Sequence, residues 1–381
     1  MADDWEHGGF GLYIHWPFCA AKCPYCDFNS HVTRTIDHDA WKDAYVSEIK
    51  RAGGLTSGRV LRSIFFGGGT PSLMAPTTVD AILSTVQQTW PTANDLEVTL
   101  EANPTSVEAA KFRDFHAAGV NRVSMGIQAL NDDDLRALGR MHTAAEGLAA
   151  FDIARATFDR VSFDLMYGRQ KQSLIQWESE LSQALSLGLD HVSLYQLTVE
   201  PGTAFGDRYA LGKLGGLPDD DLSADMYAIT QDLCSGHGMP RYEVSNHARD
   251  GAESRHNLVY WRYGDYVGIG PGAHGRLTLN GQRYATEQKR MPTAWLAGEN
   301  RQSQEVLSPQ DQAVEYLMMG MRITDGVHLD RFAELRGKPL NPNTLSELET
   351  ISMIDVSNAQ IRATDQGFSL LNEVIRQLLA D

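Results

Sequence analysis

A chain of 381 residues is too long for one small core and is expected to fold as a large domain with a smaller one attached. Its formal net charge of -16 and pI near 5.2 argue against a phosphate-backbone partner, since nucleic-acid binders carry a basic face. No apolar run reaches the roughly 18 residues of a membrane span, and the opening MADDWEHGGF lacks a charged-then-apolar leader pattern, so a cytoplasmic protein, at most peripheral to a membrane, is expected.

Taken in chain order, short β-branched or apolar runs alternate with stretches of helical spacing. GLYIHW, starting at Gly11, reads as a strand and runs into a loop holding Cys19, Cys23 and Cys26. A helix over Trp41 to Arg51 leads to the strand SIFFGGG, and a helix over Thr77 to Trp90 leads to LEVTLEANP. A helix over Ser106 to Ala118 precedes NRVSMGIQ, helices over Asp132 to Leu138 and Ala144 to Ala156 precede RVSFDLMYG, and one over Leu174 to Leu187 precedes HVSLYQLTV. Strands alternating with helices predict a parallel α/β sheet, either an incomplete (β/α)6 TIM-like barrel or a doubly wound open sheet. In both, the segments after the strands build the site, and here those segments carry Cys19, the run Gly67 to Thr70, Glu101, Gln128 and Asp164.

After Gly206 the rhythm changes to a Gly/Asp-rich connector, GKLGGLPDDD, a helix over Leu222 to Leu233, and RYEVSNHA. From Pro292 the pattern reads as mostly helical, with helices over Gln310 to Met321, His328 to Leu335 and Asn343 to Glu349, a hairpin at AQIRATDQGF, and an amphipathic helix over Leu370 to Leu379. The division expected is 1–210 for the barrel with its cluster loop at 15–31, 211–290 for a connecting segment that closes it, and 291–381 for a small, mostly helical, winged-helix-like domain.

Three of the four cysteines fall in Cys19-x3-Cys23-x2-Cys26, while Cys234 stands alone. Clustered thiols in a chain without a secretion signal more often bind metal than each other. Three thiolates suit a [4Fe–4S] cubane with one iron left open for a small chelating cofactor. Zinc, completed by His15, Asp27 or His31, is the rival.

The stretch YIHWPFCAAKCPYCDFNS resembles the radical S-adenosylmethionine (SAM) superfamily and, within it, the oxygen-independent coproporphyrinogen III oxidase group. FGGGTP at Phe66, EANP at Glu101, SMGIQ at Ser124, DLMY at Asp164, YEVSN at Tyr242 and GIGPGAH at Gly268 are similar to that group's blocks in the same order, over most of residues 10–275. Three departures bring the chain nearer to the haem-chaperone branch, the HemW type, than to the oxidase. Phe28 stands where the oxidase has a fourth cysteine, only eighteen residues precede Cys19, and SRHNLVYW at Ser254 looks like the branch's HNxxYW element.

The resemblance implies a [4Fe–4S] cluster on Cys19, Cys23 and Cys26, S-adenosylmethionine at its open iron, and haem as cargo for acceptor haemoproteins, membrane-bound respiratory enzymes among them. It implies cofactor contacts from Tyr13, Tyr25, Gly68, Gly69, Thr70, Glu101, Gln128, Arg140 and Asp164, with Arg140 meeting the cofactor carboxylate, Gln128 the sugar, and Glu101 and Asp164 the ribose or the adenosine near it. For haem it points to His256, with Tyr260 beside it and Asn257 and Trp261 nearby. Read alone, the glycine run is equally a tight turn, and the HNLVYW stretch a packed aromatic turn. After Asp164-Leu-Met-Tyr-Gly168 the group has Leu-Pro-Gly-Gln, whereas this chain has Arg169-Gln-Lys-Gln172, so that loop's contacts are not carried over. The alternative activity is radical oxidative decarboxylation of coproporphyrinogen III.

Overall fold

The six alternating runs become six consecutive strands: β1 (Phe10–Trp16), β2 (Leu61–Gly68), β3 (Thr92–Ala102), β4 (Arg122–Gln128), β5 (Arg160–Tyr167) and β6 (His191–Gln196). The computed structural model describes residues 5–380, so residues 1–4, on which part of the leader argument rested, lie outside the described residues. All six strands pair in parallel with their sequence neighbours. The helices between them cover the outer face, so β1 is buried at every position but Tyr13, as a strand covered on both sides must be. Local capping supports the crossovers. Thr143 with Glu146, and Ser173 with Gln176, form reciprocal capping boxes at two helix starts.

The sheet does not stop at six strands. β7 (Asn246–Ala248), β8 (Asp265–Ile269), β9 (His274–Leu279), β10 (Gln282–Gln288) and β11 (Gln302–Val306) extend it in the order β11-β10-β9-β8-β1-β2-β3-β4-β5-β6-β7. β8 lies parallel against the far edge of β1, so that β1 is interior. β9, β10 and β11 follow as antiparallel neighbours, and β7 caps β6 in antiparallel fashion. The region read as mostly helical from Pro292 therefore contains β11. The β9–β10 turn is Asn280-Gly281, both at positive φ, the residue pair that a two-residue hairpin favours.

The expected helix over Ser106 to Ala118 is broken into Ser106–Ala109 and Phe112–Ala118. Glu108 is drawn aside by the Ser72 hydroxyl and the Asn103 N–H, and Lys111 reaches the Ser72 carbonyl at 3.2 Å. A second hydrophobic cluster beyond Pro309 is built from helices Pro309–Gly320, Leu329–Arg336, Pro342–Thr350 and Leu371–Leu378 with a hairpin of Ile354–Ser357 and Gln360–Ala363. Helix, short strand, two helices and hairpin follow one another in winged-helix order. Tyr263 and the Arg276–Glu315 pair at 2.8 Å join this unit to the large sheet.

Among the described residues no helix is long and apolar enough to cross a membrane.

Candidate functional site

Cys19, Cys23 and Cys26 sit half-buried in the loop after β1 with free thiols. Burial raises the thiols of Cys19 and Cys26 above their usual range. Each sulfur has a polar neighbour: the Thr70 hydroxyl lies 3.5 Å from Cys19, an Arg140 Nη 3.5 Å from Cys23, and the Ser30 hydroxyl 4.0 Å from Cys26. Among the described residues no three His, Cys, Asp or Glu side chains converge as one mononuclear ion requires.

The cysteine loop is fastened from several directions. Asn29 donates from Nδ2 to the carbonyls of Pro271 and Arg290, at 2.8 Å each, and its own carbonyl lies 3.0 Å from Nε2 of His15. Nδ1 of His15 meets the Tyr13 phenol at 3.0 Å. Tyr25 packs on Phe205 and lies beside Cys23 and Arg140.

The glycine run after β2 lies directly under this loop. The N–H groups of Gly69 and Thr70 donate to the carbonyls of Trp16 and Phe18, so an incoming ammonium, itself a donor, would have to use the carbonyls of the run. Gly68 has φ 111°, and a Cβ there would stand 2.6 Å from the His15 ring.

Arg140 reaches the same place from the segment after β4, donating to Asn103 Oδ1 at 2.6 Å and the Gly126 carbonyl at 2.9 Å, while its Nε has no partner. Gln128, in the left-handed region at φ 70°, brings its amide beside Arg140 over Gly126. Glu101 and Asp164 line the lumen beneath. Burial, and then the nearby Asp164 charge, push the Glu101 carboxyl up to about 8, and burial pushes Asp164 up to about 6 against the bonds from Ser193 and Ser124. Two half-buried carboxyls, a guanidinium with a spare N–H and three thiols on one rim can hold a polar, charged small molecule.

Asn103, Ser124 and Ser193 were not singled out in the sequence. Asn103 joins Thr70, Arg140 and Glu108, and its position inside the EANP block was the available signal. The serines gave none, since each reads as an ordinary strand residue.

The HNxxYW helix, Arg255–Trp261, closes the opposite end of the lumen. His256 is 1% exposed, with Nδ1 2.9 Å from the Ser63 hydroxyl and Nε2 bonded to the Tyr260 phenol. It stacks on Phe65 and Tyr13 with centroids 5.0 and 6.3 Å apart. Burial, and then the Arg122 charge, hold its pKa down at about 3. Beneath it lies a polar plug. Glu97 takes Arg160 at 3.2 Å and the His256 N–H at 3.2 Å, and Arg122 bridges it to Ser162, whose hydroxyl meets His191. Asn257, Tyr260 and Trp261 face outward with Tyr195, Glu243 and Arg322 around a cavity of about 300 Å³.

The divergent loop has a visible role. Arg169, 3% exposed, pairs with Glu180 at 2.6 Å and Asp134 at 2.8 Å, and reaches the carbonyls of Met166 at 2.6 Å and Gln128 at 3.5 Å. It ties the turn after β5 to the segment that carries Gln128 and Arg140.

The profile of the radical SAM superfamily matches residues 13–180, and that of the HemN C-terminal domain matches residues 307–370. The chain is 39% identical to the haem chaperone HemW of Escherichia coli K12, over 97% of this chain and 98% of that one. It is 37% identical to the mitochondrial radical S-adenosyl methionine domain-containing protein 1 of Danio rerio, over 97% and 87%. The solved coproporphyrinogen III oxidase HemN of E. coli superimposes with a TM-score of 0.80 at 21% identity, covering 97% of this chain and 90% of that one, a likeness of fold.

Proposed function

Because the chain belongs to the radical SAM superfamily and, within it, to the family of the HemW haem chaperones, we propose that it binds haem and passes it to acceptor haemoproteins. Cys19, Cys23 and Cys26 would hold the [4Fe–4S] cluster that the family implies. Such a cluster, when bound, supplies an open iron that chelates an amino acid's amine and carboxylate. Arg140 meets the carboxylate of S-adenosylmethionine with its spare Nε–H. Gln128, Glu101 and Asp164 accept from or donate to the ribose. Tyr13 and Tyr25 wall the pocket, and the carbonyls of Gly68, Gly69 and Thr70 take the ammonium. Haem enters on the side of the HNxxYW helix, at His256 and Tyr260.

The observation that carries this reading is the placement of Tyr13. Its hydroxyl joins the His15–Asn29 tie of the cysteine loop, and its ring stacks on His256, so cofactor rim and HNxxYW helix share one lumen. A carrier whose cargo site adjoins its cluster is thereby favoured over two unrelated sites.

The test is anaerobic reconstitution, then haem titration with and without S-adenosylmethionine, then transfer to an apo-haemoprotein followed by its Soret band. Stoichiometric binding and transfer are expected. Failure to bind haem, or conversion of coproporphyrinogen III to a decarboxylated product, would overturn the reading.

A further inference from the structure

We propose that the cavity beside the HNxxYW helix binds a zwitterionic amino acid, with Glu243 and Asn246 taking its ammonium, Arg322 its carboxylate, and Tyr195, Tyr260 and Trp261 flanking its side chain. The inference goes beyond the haem-carrier reading and does not depend on it. At about 300 Å³ the cavity stands at the lower end of small-molecule sites.

Two charges without counter-charges border it. Glu243, 2% exposed, accepts from the Asn246 amide and from the Ser245 N–H at 3.2 Å, and both donors are neutral. Burial pushes its carboxyl up to about 7 against those bonds, as befits an acid with no cation beside it. Arg322, half-buried, donates to the Met318 carbonyl and to Asn372 Oδ1 at 3.3 Å, again neutral partners. Among the described residues the two form no ion pair, with each other or with a third group. An isolated antiparallel bridge between Glu243 and Ile323 sets them on adjoining segments, both lining the cavity.

A third polar atom there is unsatisfied. Asn246 is 4% exposed, and its Oδ1 has no partner while its amide nitrogen is held by Glu243. Water satisfies an acceptor of this kind but supplies no counter-charge. A ligand carrying both an ammonium and a carboxylate supplies both.

The remaining walls suit the rest of such a molecule. The Tyr260 hydroxyl is turned inward to His256, which leaves its ring to the cavity, and Tyr195 and Trp261 add two more rings. Aromatic rings attract an organic ammonium and pack an apolar side chain. Burial, and then the charges of Asp164, Glu243 and Glu101, push the Tyr195 phenol well up, so the cavity borders the cofactor lumen.

The test is calorimetric titration of the cluster-loaded full chain, saturated with S-adenosylmethionine so that the open iron is occupied. The probe is L-phenylalanine, with phenethylamine and 3-phenylpropionate as analogues lacking the carboxylate and the ammonium. Wild type is expected to bind one L-phenylalanine per chain, and each analogue at least tenfold more weakly. Glu243→Gln should weaken L-phenylalanine and phenethylamine at least tenfold and leave 3-phenylpropionate unchanged. Arg322→Met should weaken L-phenylalanine and 3-phenylpropionate and leave phenethylamine unchanged. Arg322 is only half-buried, so its variant decides the matter if Glu243→Gln fails to fold. Wild type that binds no L-phenylalanine at millimolar concentration would overturn the assignment, as would binding that the variants leave intact. Displacement of S-adenosylmethionine by L-phenylalanine would overturn it too, since the cavity would then be the outer part of the cofactor site.

Discussion

Replacing Arg169 by Met keeps most of the side chain's bulk and removes its charge. Glu180, only 8% exposed, would keep the Leu130 N–H at 2.7 Å and the Gln172 amide at 3.3 Å, but lose its guanidinium partner. A buried carboxylate stripped of its partner costs about 3 to 5 kcal/mol. The low end applies here, because two neutral donors remain, so a loss of about 3 kcal/mol is expected. The structure also makes the damage directional. The Gln128 carbonyl loses the guanidinium, which frees a residue held at positive φ, and the segment leading to Arg140 loosens. Urea unfolding followed by circular dichroism reads the first effect, and calorimetric titration of the cluster-loaded protein with S-adenosylmethionine reads the second. Arg169→Met with Glu180→Met should recover most of the stability, since the unpaired charge is then gone. A loss below about 1 kcal/mol in the single variant would refute the reasoning, because that is the scale of an exposed ion pair.

Glu101 has a folded-state pKa raised to about 8 from an ordinary 4.5, so between those values the folded chain binds more protons than the unfolded one. Its contribution to stability is therefore present at low pH and lost as pH rises toward 8. The thermal midpoint of the ligand-free protein should fall from pH 5 to pH 8, and Glu101→Gln should flatten that slope while weakening S-adenosylmethionine binding. An identical slope in the variant would be contrary. Cys19, Cys23 or Cys26 changed to Ala should each lose the iron–sulfide chromophore on reconstitution, whereas Cys234→Ala should keep it, since burial pushes that lone thiol up to about 12 and no other cysteine is nearby. Iron and sulfide analysis decides the point. Gly68→Ala forces a side chain into φ 111° against the His15 ring and should cost about 1 to 3 kcal/mol. Urea unfolding with an unchanged midpoint would show that the loop gives way.

The six parallel strands and the rim they share were legible because each strand is a short apolar run bounded by glycine or polar residues. The strands beyond β1, from β8 to β11, were not. β8 reads as DYVGI, flanked by glycines that suggest loop, and it becomes a strand only by pairing with β1, far away in sequence. The β9–β10 hairpin did carry a local signal, Asn280-Gly281 between alternating runs, inside the stretch read only as a connecting segment. The three cysteines and the acidic residues of the rim stood out by type and place. Their supports did not: Asn103, Ser124 and Ser193 are common residues whose meaning comes from what faces them across the lumen. His256 illustrates the same limit, for the resemblance pointed to it as a ligand while its position commits both nitrogens, as the packed aromatic turn read from residue types alone would have it.

Asn29 holds the cysteine loop to the carbonyls of Pro271 and Arg290, acceptors 242 and 261 positions downstream. On the ribosome the loop is made early and its moorings late. β1 likewise keeps one edge open until β8 is synthesised, and contacts of such long separation form slowly. The cysteines thus pass through a period in which their strand is half paired and their loop untethered. Iron–sulfur insertion during that interval would meet an accommodating loop. Insertion afterwards meets one already clamped by the far end of the chain, so a nascent polypeptide halted before Pro271 would present its thiols without the geometry that the finished fold imposes on them.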